Sequence, residues 1–137
     1  MIQRATDHLG APGLRAFYEI AERWKLSDRQ QAELLGVDEL STVHDWKRRA
    51  QAREEVILGA ETLHRIGLVI GVFRVINGLL PDPNLADSWM HTPNDAPIFE
   101  GRTAVDRITD GSANGLIVVH QYLTAECEGL DGEINEF

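Results

Sequence analysis

Five histidines and one cysteine are the side chains of this 137-residue chain best suited to metal binding or nucleophilic attack: His8, His44, His64, His91, His120 and Cys127. A metal site needs several such ligands at short spacing, and no two of the histidines stand that way. Cys127 lies between Glu126 and Glu128, with no base or cation beside it to draw out a thiolate. Asp82, Asp87 and Asp106 invite an acid–base reading, but helix capping accounts for Asp82 before Pro83 and for Asp106 after Thr103. No glycine-rich phosphate loop is present, because Gly67 and Gly71 fall inside an apolar helical stripe. His64, on the same stripe, reads as a partly buried, hydrogen-bonded side chain. These residues predict no catalytic site, no cofactor and no metal, so the chain is expected not to be an enzyme.

Two charged clusters carry a different chemistry, that of binding. Lys47, Arg48 and Arg49, with Arg53 nearby, suit phosphate. Glu126, Glu128, Asp131, Glu133 and Glu136, with Leu130, Ile134 and Phe137 interleaved, suit either a cationic cleft with an apolar recess or a disordered, solubilising tail. The charge balance follows the same division. Residues 1–53 carry nine Lys/Arg against eight Asp/Glu, a balance of +1, and the remainder carries four against fourteen, or −10. The whole chain is acidic, at −9 with an isoelectric point near 4.9, which excludes a protein that simply coats DNA. Such a split points to two halves that meet different partners.

The elements that position these residues are helical. At 43% apolar and 26% charged residues, the composition is that of a globular chain long enough for one domain or two small subdomains. Leu14, Phe17, Ile20, Ala21 and Trp24 form a first stripe over 12–25, with Pro12 near its start. Ser27 and Gln30 form a capping box that opens a helix at Asp28; it buries Ala32, Leu34 and Leu35 and stops at Gly36. A third helix is expected after Ser41 as N-cap, with Val43, Trp46 and Ala50 inward. A long helix over 52–79 follows, its stripe made of Leu63, Ile66, Ile70, Phe73 and Ile76, with a close neighbour at Gly59, Gly67 and Gly71. Asp82 and Pro83 open a helix that turns Leu85, Ala86 and Trp89 inward, and Thr92-Pro93-Asn94 stops it. After a loop over 93–101, Thr103 caps a short helix that ends at Asp110-Gly111. A last helix over 113–126 buries Leu116, Val119 and Leu123, and an acidic tail follows. The chain begins without an apolar signal core, and Ile66–Leu80 is too short and too polar at Arg74 and Asn77 to span a bilayer. With a single cysteine, this suits a reducing cytoplasm and no membrane.

The stretch Gln31–Val37 followed by Ser41–Trp46 resembles the Xre-type helix-turn-helix. Ala32 permits a close crossing, Gly36 makes the turn, and Val37, Val43 and Trp46 hold the second helix. Ser41, Thr42, His44, Lys47, Arg48 and Arg49 would then face the major groove of DNA. The turn from Gly36 to Trp46 is one residue longer than the motif's usual spacing, and Asp45 sets an acid on the groove-facing side. The alternative is a three-helix subdomain that keeps this fold and binds no DNA.

Farther on, Pro81-Asp82-Pro83, Trp89, Thr92-Pro93-Asn94, Phe99-Glu100-Gly101-Arg102-Thr103 and Gln121-Tyr122-Leu123 occur in an order similar to the toxin-binding domain of the Xre/MbcA/ParS antitoxins. The resemblance spans 55–125. Trp89 reads as an apolar anchor, Asn94 as a turn former, and Arg102 as a residue that bonds a carboxylate or loop carbonyls. The resemblance implies an all-α fold with a helix-turn-helix domain at 1–52, a toxin-binding domain at 53–126 and an acidic tail at 127–137. It implies an antitoxin that covers the NAD pocket of a RES-type toxin and represses its own promoter, acting as a homodimer and a hetero-oligomer with toxin. The toxin-facing residues would be Arg102, Tyr122, Glu126, Glu128, Leu130, Asp131, Glu133, Ile134, Glu136 and Phe137. The competing reading is a stand-alone repressor whose C-terminal domain only dimerises.

Overall fold

The computed structural model describes residues 10–111 and 114–135, the last six of these by backbone alone. Every regular element among them is a helix: α1 (Gly10–Arg23), α2 (Asp28–Leu35), α3 (Leu40–Gln51), α4 (Ala60–Leu79), α5 (Pro83–Trp89), α6 (Ala104–Ile108) and α7 (Gly115–Asn135). This is the all-α class expected. The chain forms two compact units, one reaching to Ile70 and the other starting at Gly71, so the division falls within α4.

In the first unit the α1 stripe is buried as its periodicity predicts, with Leu14, Phe17 and Trp24 wholly covered. Tyr18 joins them. Burial pushes its phenol above the usual range, so the hydroxyl stays protonated and donates to the Val43 carbonyl at 2.7 Å, tying α1 to α3. The capping box at α2 is complete: Ser27 Oγ accepts from the Gln30 amide at 3.1 Å, and Gln30 Oε1 accepts from the Ser27 amide at 2.8 Å. The helix ends on Gly36 at φ 76°, a left-handed conformation that glycine adopts without a Cβ clash.

Two boundaries differ from expectation. Helix α3 starts at Leu40 with Glu39 as N-cap, and Ser41 lies in the first turn, its hydroxyl facing the Glu39 carboxylate at 3.4 Å. The helix expected from residue 52 starts only at Ala60. Arg53 takes a left-handed φ of 60°, its amide donates to Ala50 O at 3.1 Å, and the Glu54 amide donates to Arg49 O at 2.9 Å. These are the two bonds of a Schellman turn. Beyond it the chain is extended: Val56 and Leu58 are buried while Ile57 between them is 66% exposed. Lys25, at φ 54°, closes α1 in the same way, with its own amide on Glu22 O and the Leu26 amide on Ala21 O. A left-handed non-glycine residue costs about 1–2 kcal/mol, offset here by helix-end carbonyls that gain partners.

Along α4, Ile66, Val69, Val72 and Ile76 are buried, while Leu63, Ile70 and Phe73 are half-buried. Gly71 serves a close approach, since a Cβ there would lie 2.8 Å from His120 Nε2; Gly59 and Gly67 face open space. His64 is exposed, not partly buried. At 20 residues, α4 is longer than the stretch Ile66–Leu80 read from sequence, and by length and composition alone it could cross a membrane, as a core helix of that length also could.

In the second unit, Asp82 Oδ1 accepts from the Asn84 amide at 2.9 Å and Pro83 opens α5. The buried pair is Ala86 and Met90, one helical turn apart. Leu85, expected inside, is 58% exposed. Thr103 caps α6 by accepting from the Asp106 amide at 3.0 Å. Helix α7 buries Leu116, Val119 and Leu123 as expected, but it continues to Asn135 and does not stop at 126. Gly129 and Gly132 weaken it by up to about 1 kcal/mol each, but no proline follows, and Leu130 and Ile134 keep helical spacing in the sequence.

Candidate functional site

The 90–103 segment of the second unit is fixed bond by bond. Thr92 Oγ1 donates to Ser88 O at 2.8 Å and closes the end of α5. Asn94 Oδ1 accepts from the Ala96 amide at 2.8 Å, the turn expected after Pro93. The Asn94 amide donates to Arg102 O and its carbonyl accepts from the Gly101 amide, both at 3.1 Å. Arg107 Nε donates to Ile98 O at 2.9 Å, so the loop carbonyl is held by Arg107. Arg102 pairs instead with Asp110, at 3.1 Å.

This frame carries Phe99 into the core, where it is wholly buried. Its ring meets Trp89 edge-to-face at 5.9 Å and Tyr122 at 5.3 Å. Sequence reading noticed Phe99 only as part of a motif, since a single aromatic in a loop carries no periodic signal. Trp89 and Tyr122, braced by that ring, are two walls of a groove of about 230 Å³ that is also lined by Ile76, Leu79, Leu80, Leu123 and Glu126. Ile76 and Leu123 are buried at its floor, and Glu126 is exposed.

Of the residues expected to face a toxin, the structure brings Tyr122 and Glu126 together in this groove. Glu128 is exposed farther along α7, and Arg102 sits with Asp110. Leu130, Asp131, Glu133 and Ile134 lie on the α7 backbone with their side chains outside the described residues; Glu136 and Phe137 lie wholly outside them.

In the first unit, α2 and α3 stand as the expected helix pair, with Val43 buried and Val37 and Trp46 half-buried. Ser41, His44, Lys47, Arg48 and Arg49 are exposed and Thr42 is half-buried. His44, Arg48 and Arg49 are engaged within the chain. Asp45 receives Arg48 at 2.8 Å on one oxygen and Arg49 at 3.0 Å on the other. Arg48 also reaches Glu54 at 3.6 Å, and His44 Nε2 meets Asp28 at 2.9 Å. Among the described residues no three His, Cys, Asp or Glu side chains gather as a metal site would require.

Residues 78–129 match the antitoxin Xre/MbcA/ParS C-terminal toxin-binding domain. The chain is also 34% identical over 116 residues to the uncharacterized protein y4oB of Sinorhizobium fredii, a match covering 85% of this chain and 84% of that relative. The matched domain takes in α5 and α6 complete, the loop built around Phe99, and all but one of the groove's lining residues. On this footing the chain belongs to the Xre/MbcA/ParS antitoxin family.

Proposed function

We propose that this protein neutralises a RES-type toxin by seating its C-terminal domain on the toxin and laying the acidic end of α7 over the NAD pocket. Residues 53–126 would bind the toxin and 127–137 would cover its site, without catalysis by the antitoxin and in the cytoplasm. The observation that carries this reading is the toxin-binding match over 78–129, which ends where α7 turns acidic at Glu126 and Glu128. A site that holds a diphosphate presents cations or oriented amides, and carboxylates compete for both. Co-expression with the gene encoded beside it should give a stable complex in which NAD consumption stops. Failure to form any complex, or turnover of a metabolite by this chain alone, would overturn the reading.

The helix pair at 28–51 supports a second activity, repression of the operon's own promoter. The ion pairs of Asp45 are exposed, worth at most about 1 kcal/mol each, so phosphates can displace them. The acid itself opposes the approach. Asp45→Asn is therefore expected to tighten promoter binding about threefold to thirtyfold and to steepen its salt dependence by about one phosphate contact. Fluorescence anisotropy over a salt series checks this. Equal affinity and slope in both proteins would remove α3 from the DNA interface. The stand-alone repressor reading requires the same binding with no toxin gene nearby.

A further inference from the structure

We propose that the groove between α4, α5 and α7 takes one apolar side chain of the partner toxin, presented next to a lysine or arginine that pairs with Glu126. This rests on the toxin-binding reading above and assigns it a contact point. The groove holds about 230 Å³, less than the ~300–1,000 Å³ of sites that enclose small molecules. That space suits a side chain better than a metabolite. Its walls are Leu79, Leu80, Trp89 and Tyr122, and its one charged group is Glu126. A carboxylate at the rim repels nucleotide phosphates and anionic lipid headgroups alike, and attracts a base set beside an apolar knob.

The walls are also formed before any partner arrives. Phe99 backs both Trp89 and Tyr122, so little side-chain freedom is lost when the groove fills. Tryptophan and tyrosine in a braced, half-buried position are the residues on which binding energy concentrates. The groove's lining lies almost wholly within the 78–129 toxin-binding match, so it belongs to the domain whose family description is toxin binding.

A second copy of this chain fits less well. Among the described residues its exposed large apolar side chains are Ile57, Leu85 and Ile117. Ile57 follows Glu54 and Glu55, with Arg53 beyond them, Leu85 lies between Asp82 and Asp87, and Ile117 has no lysine or arginine within four residues. Leu85 and Ile117 would bring like charge or no charge to Glu126, and beside Ile57 the two nearer acids outnumber the one arginine.

The test is calorimetric titration of the full-length chain with the toxin purified from the same operon. Tyr122→Ala and Glu126→Lys are each expected to weaken binding at least about tenfold. Glu126 is exposed, so its variant should keep the wild-type unfolding midpoint, which separates a binding loss from a folding loss. Wild-type affinity in Glu126→Lys and in a folded Tyr122→Ala would overturn the assignment of the groove. So would variants that lose self-association while holding toxin normally. If wild-type protein itself fails to bind, the antitoxin reading falls, a result distinguishable from loss in the variants alone.

Discussion

A chain ending at Glu126 is expected to bind the toxin yet leave it active. Helix α7 does not stop where the groove ends; it runs on to Asn135, roughly 13 Å farther at 1.5 Å per residue. Residues 127–137 carry four acids and no base, so the deletion removes most of the carboxylates proposed to compete for the toxin's cations. The groove would remain, with Tyr122, Leu123 and Glu126 in place. Equimolar truncated protein should therefore co-elute with toxin while NAD consumption continues near its uninhibited rate. Complete inhibition by the truncated chain would show that α7 ends its task at Glu126.

Phe99→Ala should be the most damaging single substitution in the second unit. The ring is wholly buried, and its removal is expected to cost about 3–5 kcal/mol, a large part of the roughly 5–15 kcal/mol that holds a domain folded. Both edge-to-face contacts go with it, each worth about 0.5–1.5 kcal/mol beyond buried area and therefore included in the upper part of that range. Because Trp89 and Tyr122 lose their brace, toxin affinity should fall even at temperatures where the variant is folded. Denaturant unfolding gives the first quantity and titration at low temperature the second. An unfolding free energy within about 1 kcal/mol of wild type would contradict the role given to this ring.

The features read correctly from sequence are those in which a side chain both marks and makes the structure. Ser27 with Gln30, Gly36, Asp82 with Pro83, Asn94 and Thr103 each announce a turn or cap by residue type, and each does so through a bond the structure contains. The misreadings fall where main-chain geometry decides. Nothing about arginine signals a left-handed residue, so the Schellman turn at Arg53 was hidden and a helix was expected straight through it. Leu85, Ala86 and Trp89 can share a helical face by spacing alone, and packing buries Ala86 beside Met90, half-covers Trp89 and leaves Leu85 exposed. The groove is out of reach for a related reason: three separate helices line it, and Phe99, which backs two of its walls, belongs to no periodic stretch. Tyr122 and Glu126 were nevertheless among the residues expected to face a toxin, because the motif order and the onset of acidity both lead to that turn of α7.

The three tryptophans are distributed so that the protein carries its own optical reporters. Trp24 is sealed in the first unit, Trp46 is half-buried on the helix proposed to meet DNA, and Trp89 forms a wall of the groove. Indole emission moves to shorter wavelength as water is excluded. With the other two changed to phenylalanine, Trp89 would announce the seating of a ligand in the groove, Trp46 the docking of a duplex, and Trp24 the melting of the first unit, each without an attached dye.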